Sequence, residues 1–332
     1  MENNTLYYVY GMNRTVTEYY VQVILSAFHY KGYESHEVTI KEAGNLDRNS
    51  LVLVLDSENF VKLYIRGFRK LIVWIQGAWP EESYMRNHSR LRFWLQSKME
   101  KFTLRHTKLC FLVSREQLRH YQRKYQINIE EKVYIMPCYN CEIDKKSFYY
   151  EGKYENDVFC YAGGTAVWQC FRETLELYKK IEDKKPDVTL RLFTKDKELA
   201  EKYIKEIGIR NYAISFVKPS ELPLYLAQCK YGFIIRQEDV VNNVATPTKL
   251  STYLSCGLIP IMTDAVKDFV ELFSDRQYAV ISNKSLDREV LKFTDRKIAA
   301  NDVYSEYKEI FDTYYNNDYH RTNIVRLLNK TI

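Results

Sequence analysis

Residues 231–263 read YGFIIRQEDVVNNVATPTKLSTYLSCGLIPIMT, and the fold turns on them. YGFIIR is a short apolar run suited to a buried parallel strand, and it delivers Arg236 to the strand's carboxyl end. GLIPIMT is a second such run. Between them lie a polar loop and a helical stretch, Pro247 to Cys256, with Pro247 at its first position and Gly257 at its stop. Strand, loop, helix, strand is the unit of a parallel sheet covered by helices.

The alternation continues in both directions. Upstream, VFCYAGG (158–164) is a strand ending in two glycines, followed by a helix from Val167 to Ile181. VTLRLFT, a helix from about Asp196, YAISFV and the helix PSELPLYLAQC come next; downstream, helices cover 285–298 and 301–329. In the first half LYYVYG (6–11), Glu37–Ile40, Leu51–Asp56, Leu71–Ile75, Leu109–Val113 and Val133–Pro137 read as strands. Helices fall between them near 58–69, 87–106 and 115–125, and one opens at Thr15-x-x-Glu18, a capping box. The polar, aromatic stretch 138–157 is a linker. The expected architecture is α/β, two facing Rossmann-like doubly wound domains, 1–145 and 146–332, with the last helix the one element free to cross back.

Bulk properties narrow the class. At 332 residues the chain exceeds one ordinary core. The start MENNTLYYVYGMNRT lacks the basic and apolar parts of a signal peptide, no apolar run is long enough to span a membrane, and the expected location is the cytoplasm. Seven cysteines, an odd number, fit reduced thiols. Cys138-x-x-Cys141 has no second CxxC for zinc and does not open a helix as a redox motif does, so two incidental thiols is the reading.

Charge is uneven. Residues 61–125 hold fifteen Lys/Arg against four Asp/Glu, a net +11, which leaves −5 for the rest of a chain whose total is +6. Either these are well-solvated helices, His88 and His106 among them, or the region meets something anionic, such as the inner face of a membrane. No nucleic-acid module is present, so nucleic acid is not an expected partner. Neither glycine loop reads GxGxxG with a following ribose carboxylate, which disfavours a dinucleotide oxidoreductase.

The chemistry is expected beyond the carboxyl ends of the strands. Arg236 and Lys249 would set a guanidinium fork and an ammonium beside the start of the 247–256 helix, a combination that selects a diphosphate. Charge grows on such a leaving group as its bond breaks, so fixed donors there favour the transition state. Glu238 and Asp239 follow Arg236 and could face sugar hydroxyls. Gly11 ends the first strand, where backbone could approach a ligand. Gln76-Gly77 ends another, and Glu81 or Glu82 in the loop after it could take a proton from an acceptor hydroxyl.

TPTKLSTYLSCGLIPIMTD resembles the SP-x-K-x-x-E-Y-L-x-x-G-x-P-V-I segment of family 4 glycosyltransferases of GT-B fold, of the capsular or surface polysaccharide type. KPSELPLYLAQCKYGFIIR is similar to the stretch before that motif, and YAGGTAVWQ to the family's first C-terminal glycine loop. WIQGAWPEES (74–83) with the later ME-x8-LCFLVS is similar to its acceptor half. The resemblance implies an N-terminal acceptor-binding domain and a C-terminal domain for a nucleotide-sugar, a UDP- or GDP-sugar acting as co-substrate with no separate cofactor. It implies diphosphate contact by Arg236 and Lys249, a phosphate-facing helix opened by Thr246, Pro247 and Thr248, and backbone contact at Gly163, Gly164 and Thr165. It further implies transfer to a glycan or lipid-linked acceptor with retention of configuration and without metal. Thr252 stands where the family has the carboxylate that binds ribose, and no Arg or Lys follows the glycine loop. A non-catalytic nucleotide-sugar or glycan-binding protein of the same fold is the alternative.

Overall fold

The computed structural model describes residues 4–10 and 14–331. The chain divides into two compact units: one takes the chain up to Asn140 with Asn243–Thr246 and the segment from Asn316 on, the other Cys141–Asn242 and Pro247–Tyr315.

The sheet of the first unit comprises β1 (Thr5–Val9), β2 (Glu34–Glu37), β3 (Leu51–Val54), β4 (Leu71–Ile75), β5 (Leu109–Leu112) and β6 (Val133–Ile135). Their order is β2-β1-β3-β4-β5-β6, with every pairing parallel. β3, β4 and β5 are buried along their whole length, as strands covered on both faces must be, and are correspondingly rich in Leu, Ile and Val. β2 reads ESHE and is the edge, where charge discourages pairing with another chain. This strand lies three residues before its expected position. Thr39, expected within it, instead caps the helix Ile40–Ala43 in a capping box with Glu42. At the other proposed box the helix Arg14–Tyr30 has already begun at Thr15.

The helix expected over 87–106 is Arg90–His106, and a further helix, Trp79–Asn87, precedes it where a loop was expected. His88 turns left-handed at φ 52° between them, and Ser89 caps the second. The stretch 301–329 also breaks, into Ala300–Thr313 and Asn317–Thr331. Asn317–Thr331 packs on Arg14–Tyr30, and the residues it buries are His320, Ile324 and Leu328, four residues apart on one face.

The second sheet holds β7 (Val158–Ala162), β8 (Thr189–Phe193), β9 (Tyr212–Ser215), β10 (Tyr231–Ile234), β11 (Ile259–Met262) and a two-residue edge strand, β12 (Val280–Ile281), too short to signal itself in the sequence. The order is β12-β11-β10-β7-β8-β9, again wholly parallel. The sheet therefore starts at β7 and winds outward both ways, with its direction of winding reversing between β7 and β10. The helix Phe171–Glu182 buries Phe171, Leu175, Tyr178 and Ile181 against this sheet's core. Within the expected linker the buried Lys153 donates to the carbonyls of Ala227 and Cys229 at 2.9 and 2.7 Å and so ties that segment to the approach to β10.

Gly232 in β10 is where the ring of Tyr253 sits, and the Tyr253 hydroxyl accepts the Ala162 N–H at 2.9 Å. A methyl on Gly232 would lie closer to that ring than carbon atoms tolerate. Gly232→Ala is expected to destabilise the second unit by about 1–3 kcal/mol, through overpacking. Thermal unfolding followed by calorimetry checks this, and an unchanged midpoint would contradict the packing described.

Candidate functional site

The reversal between β7 and β10 lies in the second unit, and the residues gathered there are Tyr161, Gly163, Gln169, Arg236 and Lys249. β7 runs into Gly163, whose φ of 144° suits glycine, and a Cβ there would stand 3.2 Å from both Cε and Nζ of Lys249. The lysine thus lies against the glycine loop. Its ammonium sits 3.8 Å from the centre of the Tyr161 ring, a cation–π contact, while the Tyr161 hydroxyl donates to the Gly164 carbonyl at 2.5 Å and fixes the loop. Arg236, 4% exposed, donates to Gln169 Oε1 at 2.7 Å, and Lys249 donates to the same oxygen at 3.3 Å.

Two buried cations therefore share one neutral amide oxygen, and among the described residues neither makes an ion pair with a carboxylate. Burial pushes the Lys249 ammonium well below its ordinary range, and the charge of Arg236 pushes it further. Burial likewise lowers Arg236. Uncompensated charge of this kind is costly to bury, and an anion bound between the two would relieve the cost.

The surroundings hold this pair. Arg236 N–H donates to Thr263 Oγ1 at 3.0 Å, and that hydroxyl donates back to the Arg236 carbonyl at 2.7 Å, so β10 and β11 are joined just past their ends. Asp264 follows, with one carboxylate oxygen buried and without a hydrogen-bond partner. Thr165 donates to Asp196 at 2.8 Å. Glu238 is partly exposed and paired with Lys267 at 2.9 Å, and Asp239 caps the short helix Val240–Asn243 by accepting from Asn242.

The helix after the loop starts at Lys249, two residues later than expected, and ends at Ser255. Pro247 lies before it in a turn, its carbonyl accepting the Leu250 N–H at 3.1 Å, and Thr248 is the cap residue, without a side-chain capping bond. At seven residues the helix contributes little dipole, so the cations rather than the helix start provide the positive field. Thr246 is spent elsewhere. It is buried in the first unit, its hydroxyl accepting the Cys138 N–H at 3.1 Å and donating to the Val113 carbonyl at 3.4 Å, so it does not open the helix. Thr252 donates to the Thr248 carbonyl at 3.1 Å. Gly257 stops the helix as expected: at φ 74° it donates to Leu254, and Leu258 donates back to Tyr253.

In the first unit, Glu81 and Glu82 lie in the first turn of helix Trp79–Asn87 rather than in a loop. Glu81 is 2.7 Å from Lys124 Nζ and 3.2 Å from His120 Nε2. Burial raises its pKa, but His120 and Lys124 more than offset this and hold it below the usual carboxylate value, which makes it a weaker base. Glu82 differs: burial and the neighbouring charges of Glu81 and Glu100 raise it, against the pull of Arg86. Its carboxylate fills the space a Cβ on Gly77 would need. Beneath it Glu100 is fully buried, accepting from Tyr125 at 2.6 Å. Gly11 lies outside the described residues.

Arg236, Lys249 and Gly163, singled out from the sequence, lie together, and Tyr161, Gln169, Thr263 and Asp264, not singled out there, lie beside them. The signal for Gln169 was hidden by reading one helix from Val167. A single turn, Val167–Gln169, ends at Cys170 in the left-handed region (φ 48°), and the helix proper starts at Phe171. Cys138 and Cys141 are free thiols. No helix among the described residues is long and apolar enough to cross a membrane.

No protein-family model and no curated protein matches the chain. Solved structures do match in fold. HepE from Anabaena, in complex with UDP and glucose, aligns with a TM-score of 0.70 at 11% identity over 99% of this chain and 100% of that one. Sucrose-phosphate synthase from Thermosynechococcus elongatus aligns at 0.69 and 11% identity over 99% of each chain. TarM from S. aureus, in a complex containing UDP, aligns at 0.63 and 9% identity over 92% of this chain, which spans 59% of TarM's length. The shared fold is GT-B, two Rossmann-like domains.

Because Lys249 has a lowered pKa in the folded chain, the unfolded chain binds the proton first as pH falls through the ordinary lysine range. Stability should therefore rise with pH between the lowered and the ordinary value, a slope absent in Lys249→Met. An anion binding beside Lys249 would raise its pKa again, so inorganic diphosphate should bind with proton uptake in that window. Calorimetry in buffers of different ionisation enthalpy reads this, and no uptake would refute the proximity of Lys249 to the anion.

Proposed function

We propose that the chain is a glycosyltransferase that moves a sugar from a nucleotide-sugar, a UDP- or GDP-sugar, to a glycan or lipid-linked acceptor in surface polysaccharide synthesis, with retention and without metal. The observation that carries this reading is the buried Arg236–Lys249 pair, without a carboxylate, at the point where the second sheet reverses its winding. A diphosphate matches two cations whose charge the protein leaves uncompensated, and Gln169 holds both donors before the ligand arrives. As the glycosidic bond lengthens, negative charge builds on the departing diphosphate, and donors already oriented there lower the barrier without reorganising. UDP in the complexes of HepE and TarM supports the uridine form of the donor.

The unpartnered oxygen of Asp264 suits a hydroxyl of the donor sugar, and the Gly163–Gly164 loop offers backbone to the phosphates. Thr252 can bond a ribose hydroxyl only while keeping or giving up its bond to Thr248, so ribose is held more weakly than by a carboxylate. Of the two acidic residues after β4, Glu82 is the stronger base and the better group to take the acceptor's proton, and Glu81 serves by holding Lys124 and His120.

Thermal shift with UDP-, GDP- and dTDP-sugars tests the donor class, since a binder of the native state raises the midpoint. Arg236→Ala should lower turnover by roughly 10²–10³-fold, the usual effect of losing one such donor. No binding across the panel, or full activity in the variant, would sink the assignment; binding without transfer to any acceptor would favour the non-catalytic alternative. Glu82→Gln should flatten the acidic limb of the pH–rate profile while Glu81→Gln chiefly lowers stability. The reverse pattern would return the role of base to Glu81.

A further inference from the structure

The helix Arg90–His106 presents its side chains the wrong way round for a soluble protein. The residues it buries are Glu100, Thr103 and Leu104. Leu91, Trp94 and Leu95, spaced i, i+3 and i+4 on one face, are 69%, 55% and 48% exposed. A helix normally uses that spacing to enter a core. Beside it Ile65, the last residue of helix Ser57–Ile65, is 78% exposed, and the two helices flank an open groove of about 570 Å³ whose lining includes Ile65, Trp79, Leu91, Leu95 and Met99. Scattered exposed apolar side chains need no explanation, but a contiguous set around a groove does.

The unpaired charges around this face have one sign. Arg90, Arg92 and Lys98 are exposed on the same helix, and among the described residues Arg90 and Arg92 make no ion pair. Lys98 lies over the Trp94 ring, 5.5 Å from its centre. The nearby carboxylates are already committed: Glu58 to Lys62 at 2.5 Å, and Glu100, buried, to Tyr125 and Lys124.

We propose that this face of the first unit docks on an anionic phospholipid bilayer. Leu91, Trp94, Leu95 and Ile65 enter the boundary between headgroups and acyl chains, and Arg90, Arg92 and Lys98 meet the lipid phosphates. An apolar ridge with a cationic border is the arrangement of a helix lying in a membrane interface, and tryptophan, apolar in body and polar at its N–H, suits that depth. A second copy of the chain fits poorly, because a symmetric contact would set these cations against their own counterparts. Nucleic acid would meet the charges but leave the leucines, isoleucine and groove without a role. The inference does not rest on the transferase reading, and its test uses no sugar donor.

Flotation of the full chain with phosphatidylcholine vesicles, with and without phosphatidylglycerol, is the experiment. Binding is expected to require phosphatidylglycerol, to weaken as salt rises and to shift tryptophan emission to the blue. Arg90→Glu with Arg92→Glu should lower the partition coefficient by at least about twenty-five-fold, at about fivefold per cation lost. Leu91→Ser with Leu95→Ser should lower it without changing its salt dependence. All four positions are exposed, so folding should survive, and an unchanged far-UV circular dichroism spectrum and unfolding midpoint verify that it has. Equal binding to both vesicle types, undiminished binding by both double variants, or a chain that self-associates through this face in light scattering would overturn the proposal.

Discussion

Two positive charges buried side by side, with one amide oxygen between them, set the terms for the second unit. Like charges at this depth repel in a medium that screens poorly, and the fold tolerates Arg236 and Lys249 together only because rigid neighbours hold them. The Tyr161 ring supports the ammonium, Gln169 bonds both groups, and Thr263 pins the backbone that carries the arginine. Each support depends on a feature of the chain that would otherwise look incidental: a glycine with no Cβ at 163, a left-handed cysteine at 170, a threonine one residue beyond β11.

Sheet topology explains why this pair of cations lies where it does. Strands on either side of the reversal lead away from each other, so the loops leaving β7 and β10 diverge and expose a crevice at their carboxyl ends. The first unit reverses between β1 and β3, where β1 runs out toward the undescribed residues 11–13. There the titratable groups collect instead past β4, around Gly77, whose carbonyl takes hydrogen bonds from Gln117 and Tyr121 at 3.0 and 3.1 Å.

Central strands and the two-part architecture were readable because fully buried parallel strands have an unmistakable composition: LVLV, LIVWI, LCFL and YGFI are apolar throughout. Two edge strands were not: ESHE owes its conformation to pairing with β1 and not to its own side chains, and β12 is two residues long, whereas the edges β6 and β9 were read in place. The helix Trp79–Asn87, which stops at His88, and the break at Cys170 were missed for a related reason: a non-glycine residue in the left-handed region is imposed by its surroundings and carries no local signal. In the site, charged residues at a strand end and after a proline could be located by position alone. Gln169 and Asp264 could not, because what marks them is a bond to two cations in one case and an unsatisfied oxygen in the other, both properties of packing.

The helix Asn317–Thr331 belongs to the first unit and lies on the helix Arg14–Tyr30, some three hundred residues earlier in the chain. A ribosome making this protein therefore releases the second unit's segments ready to fold while the first still lacks one side of its helical layer. Until Ile324 and Leu328 emerge, the apolar surface on Arg14–Tyr30 that they cover stays open to water. The half of the protein synthesised first is thus the half completed last, and a chain stopped short of Asn317 would carry its damage at the opposite end of the sequence from the break.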